Sequence, residues 1–141
     1  HYVCNILRTP GVTLVGLAGV REALEALGHY PFAWPAPDGY PDELEAWGNA
    51  VLPRWEFAFR VFFGAMPGVL APTGQLLGAL GGPNALTLTS RIADLLAGGN
   101  LDPGELRSVD EFVQSGVAGS GEATMRNALA LVASCPSYQY L

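Results

Sequence analysis

The sequence has no lysine and few charges of either sign. Its seven basic residues are all arginine, and they stand against thirteen acidic residues, so the formal net charge is −6. Charged residues make up 14% of the 141 residues, whereas soluble domains typically have about 25%. Affinity for nucleic acid comes largely from basic side chains that neutralise phosphates. The composition therefore argues against nucleic acid and against anionic membrane surfaces as partners.

Cysteine and histidine are also scarce. The two cysteines, Cys4 and Cys135, are too few for a disulfide framework, and no further cysteine or histidine gives them the spacing of a zinc site. We expect buried free thiols, with a disulfide between the two as the alternative. The serines have no Gly-x-Ser-x-Gly context and the glycines form no phosphate-binding loop. The sequence thus predicts no metal site and no cofactor.

Residues 61–90 contain no charge at all. Thirty such residues exceed the length of a membrane-spanning helix, but three prolines and six glycines divide them into shorter pieces, so we expect no membrane span. Contiguous exposed apolar surface usually marks a contact. We therefore predict an interface covered by another protein, by an upstream helical region of the parent protein or by a second copy in a homo-oligomer. Its centre is expected at Phe62, Phe63, Met66, Val69, Leu70, Leu76 and Leu77.

Apolar residues recur at intervals of three and four along the chain, and no segment alternates long enough for a sheet. The sequence predicts an all-α fold, a single irregular bundle of five or six helices in one domain over residues 1–141, the C-terminal part of a longer chain. Helices are expected over residues 10–27, 74–80 and 88–97, from Asn49, after the Asp102 capping box and after a Ser120 cap. The stripe predicted to enter the core comprises Val51, Leu52, Trp55, Phe59, Phe62 and Phe63.

Aromatic residues, prolines and acids are concentrated in residues 28–60, which comprise a long proline- and aromatic-rich loop and the beginning of the aromatic helix. Loops held by a rigid scaffold often carry binding groups. We expect Arg54 to form an ion pair with an acid of residues 38–45, because an unpartnered buried charge is costly. The candidate binding residues are His29, Trp34, Asp38, Tyr40, Trp47 and Arg54.

Three motifs in this region carry a family resemblance. They are Pro-Asp-Gly-Tyr-Pro at residues 37–41, Ala-Trp at 46–47 and Leu-Pro-Arg-Trp-Glu-Phe-Ala at 52–58. Together they resemble the C-terminal region of a bacterial family catalogued as domain of unknown function 1800. The resemblance implies a helical, exported protein, periplasmic or secreted, and no reaction is known for the family that it would transfer to this chain.

Two functions remain open on these grounds. The first is a non-catalytic binding or assembly module, which the apolar composition and the lack of a nucleophile with a base favour. The alternative is a hydrolase that uses the loop carboxylates Asp38, Asp42 and Glu43 together with His29.

Overall fold

The computed structural model describes residues 1–28, 30, 50–82 and 87–139. In these residues the chain is all-α, as predicted, with eight helices rather than five or six and one pair of short strands. None of the described helices is long and apolar enough to cross a membrane. In chain order the elements are α1 (Tyr2–Arg8), β1 (Thr13–Leu14), α2 (Ala18–Ala26), α3 (Val51–Phe62), β2 (Val69–Leu70), α4 (Thr73–Ala79), α5 (Leu88–Ala97), α6 (Pro103–Gln114), α7 (Glu122–Ser134) and α8 (Pro136–Gln139).

Helix α7 lies at the centre and contacts α3, α4, α5, α6 and α8. Many of its buried positions are alanine, which lets neighbouring helices approach closely on several sides. Its larger side chains Met125, Leu129 and Val132 are completely buried. A single cluster of buried residues connects α7 with side chains from α1, α2, α3, α5, α6 and α8. The core is thus organised around α7, which corresponds to the last long helix predicted from the sequence.

Helix α2 is shorter than predicted. It begins at Ala18, and the preceding residues form β1, which pairs antiparallel with β2. The backbone is close-packed beside this pairing, because a Cβ atom on Gly68 would lie 2.7 Å from Gly16 O. The predicted start at Pro10 was wrong since a contact with residues more than fifty positions away holds the chain extended. The predicted stop was correct, as Gly28 follows the helix with a φ of +69°.

Helix α3 buries a different face from the one predicted. Only Phe62 of the predicted stripe is fully buried, while Leu52 is 70% exposed and Trp55 is 41% exposed. The residues that face the core are Arg54, Phe57, Ala58, Val61 and Phe62. The helix is apolar on both of these faces, so the spacing of its apolar residues did not distinguish them.

Helix starts and stops followed local signals in most places. Helix α5 has the predicted bounds, and Gly98, which follows its last residue, has a φ of +58°. Asp102 caps α6, because its Oδ1 accepts hydrogen bonds from Gly104 N and Glu105 N at 2.8 and 3.1 Å. The predicted Ser120 cap was wrong, since the cap position of α7 is Gly121 and no side chain caps it.

The charge-free segment is partly core. Phe62, Met66 and Val69 are at most 3% exposed and belong to the central cluster, so they offer nothing to a partner. Leu76 and Leu77 are half-buried against the same cluster. Phe63 and Leu70 remain 39% and 57% exposed. Of the residues predicted at the centre of the interface, Phe63 and Leu70 are therefore the two that remain most available for contact with a partner.

Both cysteines are free thiols. Cys135 is buried, as expected, but Cys4 is exposed on α1, which corrects the prediction of two buried thiols. The alternative disulfide between them is not formed.

Candidate functional site

Most of the residues that the sequence singled out for binding lie outside the part of the chain that the structure describes. This holds for His29, Trp34, Asp38, Tyr40 and Trp47, and also for Asp42 and Glu43 of the alternative hydrolase. Arg54 alone of the candidate set is described, and it lies on the buried face of α3. A carboxylate site with His29 thus stays a prediction.

Arg54 connects three helices. Its Nη1 donates to Gln139 O of α8 at 3.4 Å, and its guanidinium carbon lies 5.7 Å from the centre of the Tyr2 ring of α1. The Tyr2 hydroxyl in turn donates to Arg54 O at 2.7 Å. Burial raises the pKa of Tyr2 far above its ordinary value, so the hydroxyl keeps its proton. Arg54 has a structural role here, and its predicted ion pair involves acids outside the described residues.

A row of apolar side chains runs along the outer side of α3, and all of them are exposed except Phe59, which is half-buried against the core. We call Leu52, Trp55, Phe59 and Phe63 the outer stripe. Their spacing of three, four and four residues places them on one side of the helix. The rings of Phe59 and Phe63 stack with centroids 5.7 Å apart and an interplanar angle of 24°. From their spacing, these residues were predicted to enter the core.

The outer stripe borders an apolar groove of about 350 Å³. Helices α3 and α6 both pack against α7, and the groove lies where they meet its C-terminal end. Helix α3 contributes Trp55 and Phe59, and the other lining residues are Glu105, Ser108, Val109, Leu131, Ser134, Cys135 and Pro136. A concave, mainly apolar surface with a few polar groups is the usual form of a binding site.

The small polar side chains of the groove donate their hydrogens to backbone carbonyl oxygens. Ser108 Oγ donates to Gly104 O at 3.1 Å, and Ser134 Oγ donates to Ala130 O at 2.7 Å. The Cys135 thiol donates to Leu131 O at 3.4 Å. Each of these bonds goes back to the helix turn before it. The polar atoms are thus satisfied within the helices, and the lining of the groove is almost entirely apolar.

Glu105 is the one charged residue among those that line the groove. Its two carboxylate oxygens share the Ser137 N–H, at 3.3 and 3.2 Å from the nitrogen, and one of them also accepts a hydrogen bond from the Ser137 hydroxyl. The Ser137 hydroxyl oxygen accepts a bond from Asp102 N at 3.2 Å. Glu105 therefore caps the start of α8. No arginine of the described residues forms an ion pair with Glu105.

The groove is better suited to binding than to nucleophilic chemistry. Burial, and to a smaller extent the charge of Glu105, raises the pKa of the Cys135 thiol to about 11. Since the thiolate is the reactive form, this cysteine is inert near neutral pH. Both serine hydroxyls are bonded to backbone oxygens and have no adjacent histidine in the lining. The groove can therefore bind an apolar group.

Comparison with known proteins gives a family and nothing more specific. A family model described as "Protein of unknown function (DUF1800)" matches residues 1–140. No curated protein and no solved structure matches the chain.

Proposed function

Because the chain belongs to the DUF1800 family of proteins of unknown function, we propose its role from its own structure: it is a non-catalytic binding module. Its groove and the outer stripe of α3 hold an amphipathic helix. That helix belongs to another protein or to the upstream region of the parent chain, and these two sources share the same chemistry.

The observation that carries this proposal is the continuity of the outer stripe with the groove, through Trp55 and Phe59, which belong to both. From Leu52 to Phe63 the stripe spans about 16 Å along the helix axis, at a rise of about 1.5 Å per residue. A partner helix of about three turns fits this length. Helices of this kind dock into apolar grooves through anchors spaced three and four residues apart.

The exposed side chains are of a type that contributes strongly to binding. Trp55 is 41% exposed and Phe63 is 39% exposed, so both have apolar area still to bury. Removal of apolar surface from water is favourable in proportion to its area. Aromatic anchors that enter a pocket are frequent hot spots of interfaces. The stripe thus supplies anchors and the groove receives those of the partner.

A peptide-binding assay tests the proposal. The probe is a fluorescent 15-residue helical peptide with leucine at intervals of three and four and neutral polar residues elsewhere. We expect Trp55→Ala and Phe59→Ala each to weaken its binding by about tenfold or more, as for interface hot spots. Val117→Ala is the matched control, because Val117 is 74% exposed and lies outside the groove.

Two results would overturn the proposal. One is a wild-type protein that does not bind the peptide at any accessible concentration. The other is equal binding by the wild type and by both groove variants, with unchanged melting curves.

We also propose that the parent protein is exported to the periplasm or secreted, as the family resemblance implies. Fractionation of a bacterial host that expresses the full-length parent tests this, and recovery from the cytoplasm alone would contradict it.

A further inference from the structure

We propose that a pocket formed by α1, α2 and the start of α3 binds a small carboxylic acid with an apolar chain, and that its carboxylate pairs with Arg54. This pocket is separate from the groove, because the two share no described lining residue. The ligand is a free molecule such as a short fatty acid. The inference therefore goes beyond the proposed function and does not depend on the partner helix.

The pocket between α1 and α2 is mainly apolar. Its volume of about 350 Å³ falls within the range of small-molecule sites. The exposed residues His1 and Cys4 belong to its lining. Helix α1 and the stretch from α2 to its C-cap supply the apolar walls, which are Tyr2, Val3, Leu7, Val20, Leu24 and Leu27. An apolar chain in this space would be removed from water, which is favourable.

Arg54 adds a buried positive charge to this apolar pocket. It is 7% exposed, and the lining contains no acid among the described residues. Within the part of the chain that the structure describes, no acid forms an ion pair with Arg54. A buried charge that lacks a counter-charge is costly. An anion bound in the pocket removes this cost.

The guanidinium of Arg54 has more donors than the described residues accept. It carries five N–H groups, and within the described residues its hydrogen bond is that of Nη1 to Gln139 O at 3.4 Å. That distance exceeds the usual N–H···O range of about 2.7–3.2 Å. A carboxylate accepts two parallel bonds from such a planar group. Contact with the Tyr2 ring, whose centre lies 5.7 Å from the guanidinium carbon, orients the group before a ligand arrives.

The combination of one arginine with apolar walls selects the class of ligand. A singly charged carboxylate balances one guanidinium, whereas the second charge of a phosphate monoester would be buried without a partner. An alcohol with the same chain would gain the apolar burial but would leave the guanidinium without a counter-charge. A cationic ligand would add a second positive charge beside Arg54. The pocket therefore favours a monocarboxylate.

Three ligands with the same chain test the inference by calorimetric titration of the wild-type protein. They are sodium octanoate, octanol and octylammonium chloride, which differ only in the head group. We expect octanoate to bind about tenfold tighter than octanol, as for one hydrogen bond between charged groups. Octylammonium should bind weakest, because its charge has the same sign as that of Arg54.

The exposed thiol of Cys4 reports where octanoate binds. Cys4 lines the pocket, whereas Cys135 is buried and its pKa is raised to about 11, so Cys135 does not compete for a thiol reagent near neutral pH. Octanoate at a saturating concentration should cause a loss of Cys4 alkylation by iodoacetamide. Octylammonium at the same concentration is the control and should leave the alkylation rate unchanged.

A charge variant assigns the preference to Arg54. Arg54→Gln should reduce the advantage of octanoate over octanol to less than about twofold, since the charged pair supplies most of that difference. Arg21→Gln is the matched control, because Arg21 forms an exposed pair with Glu25 on α2 and lies outside the pocket. It should leave the advantage intact.

A second variant tests the pocket without touching the charge. Leu24→Trp places a larger side chain in the wall and should weaken octanoate binding by about tenfold or more, through a clash with the chain. Leu17→Trp is its control, since Leu17 is 66% exposed and lies outside the pocket. If Arg54→Gln does not fold, the three ligands on the wild type and this pair of variants decide.

Three results would overturn the inference. The first is a wild type that binds octanoate no better than octanol, which is expected if an acid of residues 38–45 already pairs with Arg54. The second is an octanoate preference that a folded Arg54→Gln retains. The third is octanoate binding that neither protects Cys4 nor weakens in Leu24→Trp. None of these results bears on the proposed function, because Trp55 and Phe59 lie outside this pocket.

Discussion

Helices α3 and α7 are both apolar around much of their circumference, but only α7 is enclosed. Seven of its residues are buried, and five other helices contact it. Helix α3 packs one apolar side on α7 and leaves three of the four residues of the outer stripe exposed. An apolar helix with open sides is normally found at a contact surface. The exposed side of α3 is therefore the surface on which the proposed partner helix would dock.

Side-chain size accounts for part of this difference. Helix α7 has alanine at positions 128, 130 and 133, all fully buried, and so its neighbours come close on several sides. The outer stripe of α3 has tryptophan, phenylalanine and leucine instead. Large aromatic side chains contribute most where they enter a partner's pocket. Small residues thus let other helices surround α7, whereas the outer stripe of α3 consists of large side chains.

The largest expected effect concerns the buried side of α3. Arg54→Ala should lower the free energy of unfolding by roughly 3–5 kcal/mol, provided that its predicted carboxylate partner among residues 38–45 is left buried without it. Urea unfolding measures the change. Arg21→Ala is the control, because Arg21 forms an exposed pair with Glu25 on α2, and pairs of that kind contribute well under 1 kcal/mol. An unchanged urea unfolding curve for Arg54→Ala would contradict the predicted ion pair between Arg54 and a buried carboxylate.

A pair of leucines compares the two helices directly. Leu129 of α7 is fully buried and Leu52 of α3 is 70% exposed. We expect Leu129→Ala to cost about 2–5 kcal/mol through lost contacts and a cavity, and Leu52→Ala to stay within about 0.5 kcal/mol. Similar losses from both variants in chemical denaturation would mean that the outer stripe is covered in the isolated chain.

The segment that follows α3 provides a third test, because its path depends on Gly68, and the segment between α7 and α8 has no equivalent glycine. Gly68 has a φ of +78° and would place a Cβ atom 2.7 Å from Gly16 O, whereas Gly116 has a φ of +76° with nothing within 4 Å. Gly116→Ala should cost only the backbone strain, about 1–3 kcal/mol. Gly68→Ala should cost more, since backbone atoms must also move. Equal midpoints of thermal unfolding would argue against the close approach of the two segments.

The smallest effect concerns the start of α7. A hydrogen bond from the Thr73 hydroxyl, and then the bond and charge of Arg126, hold the pKa of Glu122 below its ordinary value. A lowered pKa stabilises the fold at pH values above about 4.5, and this contribution disappears as pH falls through the folded pKa. Glu122→Gln should therefore unfold at lower urea than the wild type at pH 7, and the two midpoints should converge near pH 3. A constant difference would contradict the assignment.

Local signals predicted much of the fold. The bounds of α5 and the Asp102 cap of α6 depend on residues a few positions apart, and both were found. The start of α2 was missed because β1 pairs with β2, far along the chain. Glu105 was interpreted only as part of a capping box, and nothing local shows that its carboxylate turns to Ser137, thirty-two residues later. The groove was missed for the same reason, as its lining residues come from four separate helices.

The hydroxyl of Tyr2 has a consequence for how the chain folds as it is made. It donates to Arg54 O and lies 3.2 Å from Ala133 O, so the first helix needs a site that is completed 131 residues later. At synthesis rates of about 5–20 residues per second, roughly 7–26 seconds separate the two on the ribosome. Helix α1 cannot hold its native contacts during that interval, and its apolar side stays open to chaperones or to misplaced partners. Folding of this region is therefore expected to begin near the C-terminal helices and to incorporate the N-terminus last.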